Sequence, residues 1–272
     1  MHCVPTFATT MIYYKTDDDI VLIRESCVLV SKTLAEVAAH IQPGVTTQHL
    51  DEVAETFIRD HGATPAFKGY RNFPASLCVS VNEEVVHGIP SEKRILKEGD
   101  IISVDCGTVL NGFVGDSAYT FCVGEISEPV KNLLRVTQEC LALGIEKAKY
   151  GNRIGDISFA VQDHAEKNGY GVVRELVGHG VGRKLHEDPE VPNFGRRGTG
   201  PKLLPGLVIA IEPMINMGKK DVLEADDKWT VYAKDKKPSA HFEHTVVVLR
   251  DRTEILTTHQ FIEEAIRKQT VF

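Results

Sequence analysis

The 272 residues carry 38 acidic against 31 basic side chains, a formal net charge of −7, with 42% hydrophobic residues. An acidic chain without a basic stripe argues against direct nucleic-acid recognition, and no apolar run approaches the roughly 18 residues of a membrane span. Six cysteines at 3, 27, 78, 106, 122 and 140 form no Cys-x-x-Cys pair, which excludes a zinc ribbon or disulfide scaffold and points to a reducing, cytoplasmic compartment.

Residues 1–15 show no pattern and read as an N-terminal tail. With no Lys or Arg before Lys15 and no sustained apolar stretch, no signal peptide is expected; Met11 is a second candidate start. Thr16 followed by Asp17, Asp18 and Asp19 has the form of an N-cap with acids in the first turn, favourable at the positive end of a helix. From Ile20, apolar residues at 20, 23, 27, 30, 34, 37 and 41 recur at threes and fours, predicting a helix to about His40 that Pro43-Gly44 stops. Thr47 opens a second helix, closed by Gly62. Phe67, Tyr70 and Phe73 mark an aromatic loop, and 77–81 reads as a strand. The stretch 101–121 is the clearest in the chain: two β-rich runs flank Asn111-Gly112, the strongest short-range hairpin signal. Helices follow over 129–149 and 154–168, then a strand over 172–177, a Pro/Gly-rich loop over 189–205, and strands over 207–212 and 241–249. A charged, hairpin-like segment holding Trp229 lies between those strands, and 261–268 is a short terminal helix.

A repeat lies within this order. Gly44 and Gly151, Gly62 and Gly169, and Gly99 and Gly206 are each separated by 107 residues, and the same offset sets Asp105 on Glu212. Helix, glycine turn, helix, then strands ending in an acid therefore occurs twice. The expectation is one α+β domain over 16–272, made of two related halves of about 16–125 and 126–260, with antiparallel strands covered by helices. A pseudo-twofold would bring Asp105 and Glu212 to one centre.

Asp105 and Asp116 sit in apolar surroundings on the two arms of the hairpin, where a carboxylate should be paired, protonated or bound to a metal. Alone, each is more often a surface or turn acid. Grouped with His179, Glu212 and Glu243, they would leave a buried centre near −4, untenable without cations. Two divalent ions would neutralise it, and oxygen-rich ligation with one nitrogen suits Mn, Fe, Co or Zn. Two such ions roughly 3.5–4 Å apart can lower the pKa of a shared water and polarise a carbonyl, which implies hydrolysis.

Asp105 and Asp116, with Gly178-His179-Gly180, Ile211-Glu212-Pro213-Met214 and Phe242-Glu243-His244-Thr245, resemble the ligand pattern of the methionine aminopeptidases, whose fold is the two-halved pita-bread fold of metallopeptidases. The resemblance runs from about Thr16 to about Leu256. The short interval from Glu212 to Glu243 and the absence of a Cys-rich extension make it similar to the bacterial type I enzymes. It implies that Asp105 chelates one ion, that His179 and Glu212 hold the other, and that Asp116 and Glu243 bridge both. Glu212 is further implied as proton shuttle, His87 as the residue at the scissile amide, and His186 as the one that stabilises the carbonyl oxygen. A methionine pocket lined by Phe67, Tyr70, Phe73, Cys78, His186 and Trp229 is implied, whose apolar walls suit a thioether. Phe67 and Leu185 depart from the residues common in the family, which bears on strictness for methionine. A monovalent cation near the backbone of Asn82 and Ser239 is implied as well, as is a monomer acting on the N-termini of nascent chains.

The nearest rival is a proline-directed peptidase of the same fold, an Xaa-Pro aminopeptidase or prolidase. Those carry an added N-terminal domain, and only about 100 residues precede Asp105 here. A non-catalytic binding protein of this fold would be expected to have lost ligands. Phe67, Tyr70, Phe73 and Trp229 are by default core packing, and for His186, flanked by Lys184 and Glu187, a plain surface residue is the alternative to the catalytic reading. Lys219, Lys220, Lys234, Lys236 and Lys237 interleave with acids, usually a solvated face; a ribosome-docking surface is the functional alternative.

Overall fold

A computed structural model describes residues 11–269. Helix α1 (Asp17–Ala38) begins at Thr16, whose hydroxyl accepts from the Asp19 N–H while the Asp19 carboxylate accepts from the Thr16 N–H. The first turn is thus capped reciprocally. α2 (Thr47–Asp60) is capped by Thr46. α3 (Glu128–Lys147), α4 (Ile154–Lys167) and α5 (Gln260–Gln269) follow in the order the periodicity predicts.

The repeat is physical. Gly44 N–H donates to Leu96 O at 2.8 Å and Gly151 N–H to Leu203 O at 3.1 Å, while Thr46 bridges Ile95 just as Arg153 bridges Lys202. Gly44 and Gly151 hold φ of +92° and +93°, a left-handed conformation that a Cβ would strain.

Four antiparallel sheets are present among the described residues, and the two largest carry these halves. In the first, strands Ile101–Leu110 and Phe113–Cys122 form the hairpin, with Leu77–Val81 and the short Thr64–Pro65 paired to its first arm. Asn111 and Gly112 both take positive φ, as a tight two-residue turn requires. In the second, the strand order is Thr253–Ile255, His244–Val248, Leu207–Ile211, Val177–Gly180, Glu187–Pro192. Leu29, Val30, Leu34 and Val37 of α1 share one buried core with Val104 and Phe121 of the hairpin and with Ile209, Val246 and Val248 of the second sheet. Gly115 is what lets α1 lie so close, since a Cβ there would stand 2.5 Å from the Cys27 nitrogen.

The halves are stitched together along one line. Ser117 Oγ donates to Glu243 O, Thr245 Oγ1 to Asp116 O and Glu243 N–H to Ala118 O, at 2.8, 2.8 and 3.0 Å. These bonds fix the backbones of two predicted metal ligands against each other.

Three predicted elements differ. The strand over 172–177 is two pieces, Gly171–Val172 and Val177–Gly180, because the chain leaves one sheet for another there. The strand over 241–249 is broken between His241 and His244, so Glu243 stands in the gap. The loop over 189–205 starts as a strand, Glu187–Pro192, at a sheet edge where proline's missing N–H is tolerated. Of the segment read as a tail, residues 1–10 lie outside the described residues. Residues 11–15 are fixed to the fold: Ile12 bridges Asp188, Lys15 N–H donates to Gly206 O at 2.7 Å, and the Lys15 ammonium meets Glu187 Oε2 at 2.6 Å with both side chains buried.

Candidate metal centre and its cleft

Asp105 faces Ala118 across the hairpin and Asp116 faces Gly107. Residues opposed in a ladder share a face, as do residues two apart along a strand, so both carboxylates project from one face. The partners opposite are small and leave them room. His179 rises from the second sheet between two glycines, and the structure explains that spacing. A Cβ at Gly178 would sit 2.4 Å from Ala210 O, and one at Gly180 would sit 2.4 Å from Asp188 O. Glu212 follows the strand Leu207–Ile211, where Pro213 ends the ladder.

Ligand atoms of Asp116, His179 and Glu243 lie within 4.8 Å of one another, and all three residues are buried. His179 Nε2 stands 3.7 Å from Asp116 Oδ2 and 3.6 Å from Glu212 Oε1. His179 Nδ1, 2.9 Å from Gly180 O, can be satisfied only as a donor, which leaves Nε2 as a free lone pair aimed at the carboxylates. Asp105 Oδ1, Asp116 Oδ1 and Glu243 Oε1 are buried without hydrogen-bond partners.

Such acids are costly to ionise. Burial pushes Asp105 and Glu212 each up to about 7; for Asp105 the Glu212 charge adds to it and His241 opposes it, and for Glu212 His179 opposes it. Asp116 and Glu243 are driven well above the usual carboxylate range, by burial first and then by neighbouring acids. Orphaned acceptors, clustered carboxylates and an imidazole lone pair are the donor set of a site for hard or borderline divalent cations. These residues fit a metal.

All twelve residues singled out in the sequence for this site line one cleft of about 680 Å³. Cys78 lies opposite Asp105 in the ladder. Phe73 meets the Trp229 ring edge-on with centroids 5.0 Å apart, and Phe67 and Phe73 are buried. His87 holds φ +60°, left-handed backbone for a residue with a Cβ, a strain typical of functional positions. Gly88 after it comes so close to Val79 that a Cβ would overlap the Val79 carbonyl. Desolvation lowers the His87 imidazole to about 4, with His241 adding to it. His186, between the Tyr70 and His179 rings, is lowered to about 3 by desolvation and then by His179. Both are neutral at pH 7. Asn82 and Ser239 also meet, Ser239 N–H donating to Asn82 O at 2.8 Å.

Two relationships are additional to the sequence reading. His241, 1% exposed, places Nε2 3.5 Å from Glu212 Oε2, with no hydrogen-bond partner for that nitrogen. Its only sequence signal was its place two residues before Glu243. Tyr70 does more than wall the pocket: its hydroxyl lies 2.7 Å from His186 Nδ1. Donation from Tyr70 leaves the His186 proton on Nε2.

The profile of metallopeptidase family M24 matches residues 21–250. The chain is 53% identical over 247 residues to a methionine aminopeptidase of Clostridium acetobutylicum, covering 91% of this chain and 99% of that one. It is similar to the crystal structure of methionine aminopeptidase from Rickettsia prowazekii, with a TM-score of 0.90 and 42% identity, covering 91% of this chain and all of that one. Prolidase from Pyrococcus furiosus shares the fold at a TM-score of 0.75 and 24% identity, with 90% of this chain and 65% of that one covered.

Proposed function

The chain belongs to metallopeptidase family M24, and we propose that it removes the N-terminal methionine from peptides and proteins whose second residue is small. One observation carries the reading: the buried acid and histidine cluster lines the same cleft as Phe67, Tyr70, Phe73, Cys78 and Trp229. A thioether suits such apolar, polarizable walls.

Asp105, Asp116, His179, Glu212 and Glu243 would hold two divalent ions of the Co, Mn, Fe or Zn class. Bound there, such ions supply a water of lowered pKa and polarise the scissile carbonyl. The protein's own groups do the rest. Glu212 would take a proton at Oε and return it to the leaving amine. His186, with its proton on Nε2, donates to the carbonyl oxygen as charge develops there. His87, neutral and held rigidly, faces the scissile amide. The phenyl and indole edges of Phe73 and Trp229 exclude water from the methionine side chain.

The proline-directed rival is supported only by fold. Its representative is 24% identical, and this chain covers 65% of its length. Five free cysteines among the described residues fit a reducing cytoplasm, where nascent chains would be the substrate. The segment carrying Lys219 to Lys237 is the surface we assign to ribosome docking; salt-sensitive co-sedimentation should be lost when those lysines become glutamate. The activity itself is tested by stripping the protein with a chelator, refilling it with Co, Mn, Fe or Zn, and assaying Met-Ala-Ser. Restored cleavage by wild type but not by Glu243→Gln is expected. Equal turnover by the variant would overturn the assignment of the centre.

A further inference from the structure

Residues 11–15 add a short parallel bridge to Glu187–Pro192, the edge strand of the second sheet, whose Glu187, Asp188 and Glu190 line the cleft. In an extended segment, alternate side chains face opposite ways. Ile12 packs against the main core. Met11 and Tyr13 line the cleft instead, yet remain 61% and 50% exposed. Of the eight large hydrophobic side chains exposed among the described residues, three fall within residues 11–14. Their backbone is pinned by the buried Lys15–Glu187 pair and the bond from Lys15 to Gly206, so this apolar ledge is held in place.

We propose that Met11 and Tyr13 form a subsite for the polypeptide that follows the scissile bond, favouring apolar side chains from the fourth substrate residue onward. The proposal rests on the activity assigned above. The N-terminal methionine must occupy the closed, buried end of the cleft, so the remainder of the chain has to leave by its mouth. Met11 and Tyr13 stand at that mouth, continuous with the site. Methionine adapts to varied partners, and tyrosine offers a rigid apolar face with a wet hydroxyl, which suits sequence-tolerant contact with a passing chain.

The test compares full-length wild type with Met11→Ser/Tyr13→Ser and with Tyr13→Phe, all metal-loaded and checked for equal Tm. The substrates are Met-Ala-Ser, Met-Ala-Ser-Leu-Phe-Leu and Met-Ala-Ser-Asp-Ser-Asp. In the double variant, kcat/KM for the apolar hexapeptide relative to the tripeptide should fall about tenfold. The loss should appear in KM, Tyr13→Phe should retain most of the preference, and the acidic hexapeptide should follow the tripeptide. An unchanged ratio overturns the subsite. So does a wild-type dimer that the double variant abolishes together with any peptide-length effect, since the ledge would then serve a second copy of the chain. Failure of wild type to cleave any of the three peptides would instead strike the activity reading, and the subsite with it.

Discussion

Loading the metal-free protein with a divalent ion should release protons, and the number should depend on pH. Asp105 and Glu212 are each pushed up to about 7 by burial, against ordinary values near 4. At pH 6.5 each carries a proton about three-quarters of the time, or about 1.5 between them. Asp116 and Glu243, driven higher by burial and by their neighbours, add to that number. A cation can bind only as these protons leave. At pH 8 the first pair holds about 0.2, so the release should fall by about 1.3 protons over the interval. Isothermal titration calorimetry in buffers of different ionisation heat, run at both pH values, counts them directly. The sign for stability follows. A carboxyl whose pKa is raised on folding stabilises the metal-free fold below its ordinary pKa, and that contribution is lost as pH rises through about 7. Metal should therefore raise Tm more at pH 8 than at pH 6. A release below about half a proton at pH 6.5, unchanged at pH 8, would refute this account of the centre.

Other consequences are equally specific. Tyr70→Phe keeps the ring but removes the hydroxyl that fixes His186; kcat on Met-Ala-Ser should fall about tenfold, equivalent to about 1.4 kcal/mol, with KM within about twofold. An unaltered kcat in steady-state assays would deny Tyr70 any hold on His186. Asp51, 4% exposed, accepts from the buried Ser76 and Leu77 N–H groups at 2.9 and 2.8 Å. Asp51→Ala orphans both and should cost about 2–4 kcal/mol in urea unfolding; a loss under about 0.5 kcal/mol would contradict it. Gly178→Ala must displace the backbone beside His179, since its Cβ would meet Ala210 O at 2.4 Å. Metal affinity by calorimetry should drop at least about tenfold, and wild-type affinity would show that the glycine spacing does not serve the ligand.

What could be read from the sequence was whatever had a local cause. The Asn111-Gly112 turn, the Thr16 cap and the glycines that recur after 107 residues each state their geometry within a few positions, and all stand in the structure as expected. Asp105 and Asp116 stood out as acids in apolar runs and the repeat set Glu212 on Asp105, while His179 and Glu243 joined them through the resemblance to the methionine aminopeptidase ligand pattern. Less legible were features that depend on sheet membership. A sequence of β-formers over 172–177 gives no sign that the chain changes sheets midway, and the proline-bearing Glu187–Pro192 looks like a loop until its edge position is known. His241 had no periodic or motif signal, because its significance is a distance to Glu212 across two strands. Residues 11–15 carry no helical or alternating pattern long enough to register, and it is Lys15 meeting Glu187, far along the chain, that makes them part of the cleft.

The most direct test of the whole account is a single competition reaction. Met-Ala-Ser, Leu-Ala-Ser and Ala-Pro-Ser are mixed at equal concentration with metal-refilled protein, and free amino acids are followed by mass spectrometry. Free methionine should appear first, dependent on added metal, with leucine and alanine slower by at least about a hundredfold. Release of alanine from the prolyl peptide ahead of methionine would keep the fold and the centre but contradict the substrate that the cleft has been assigned.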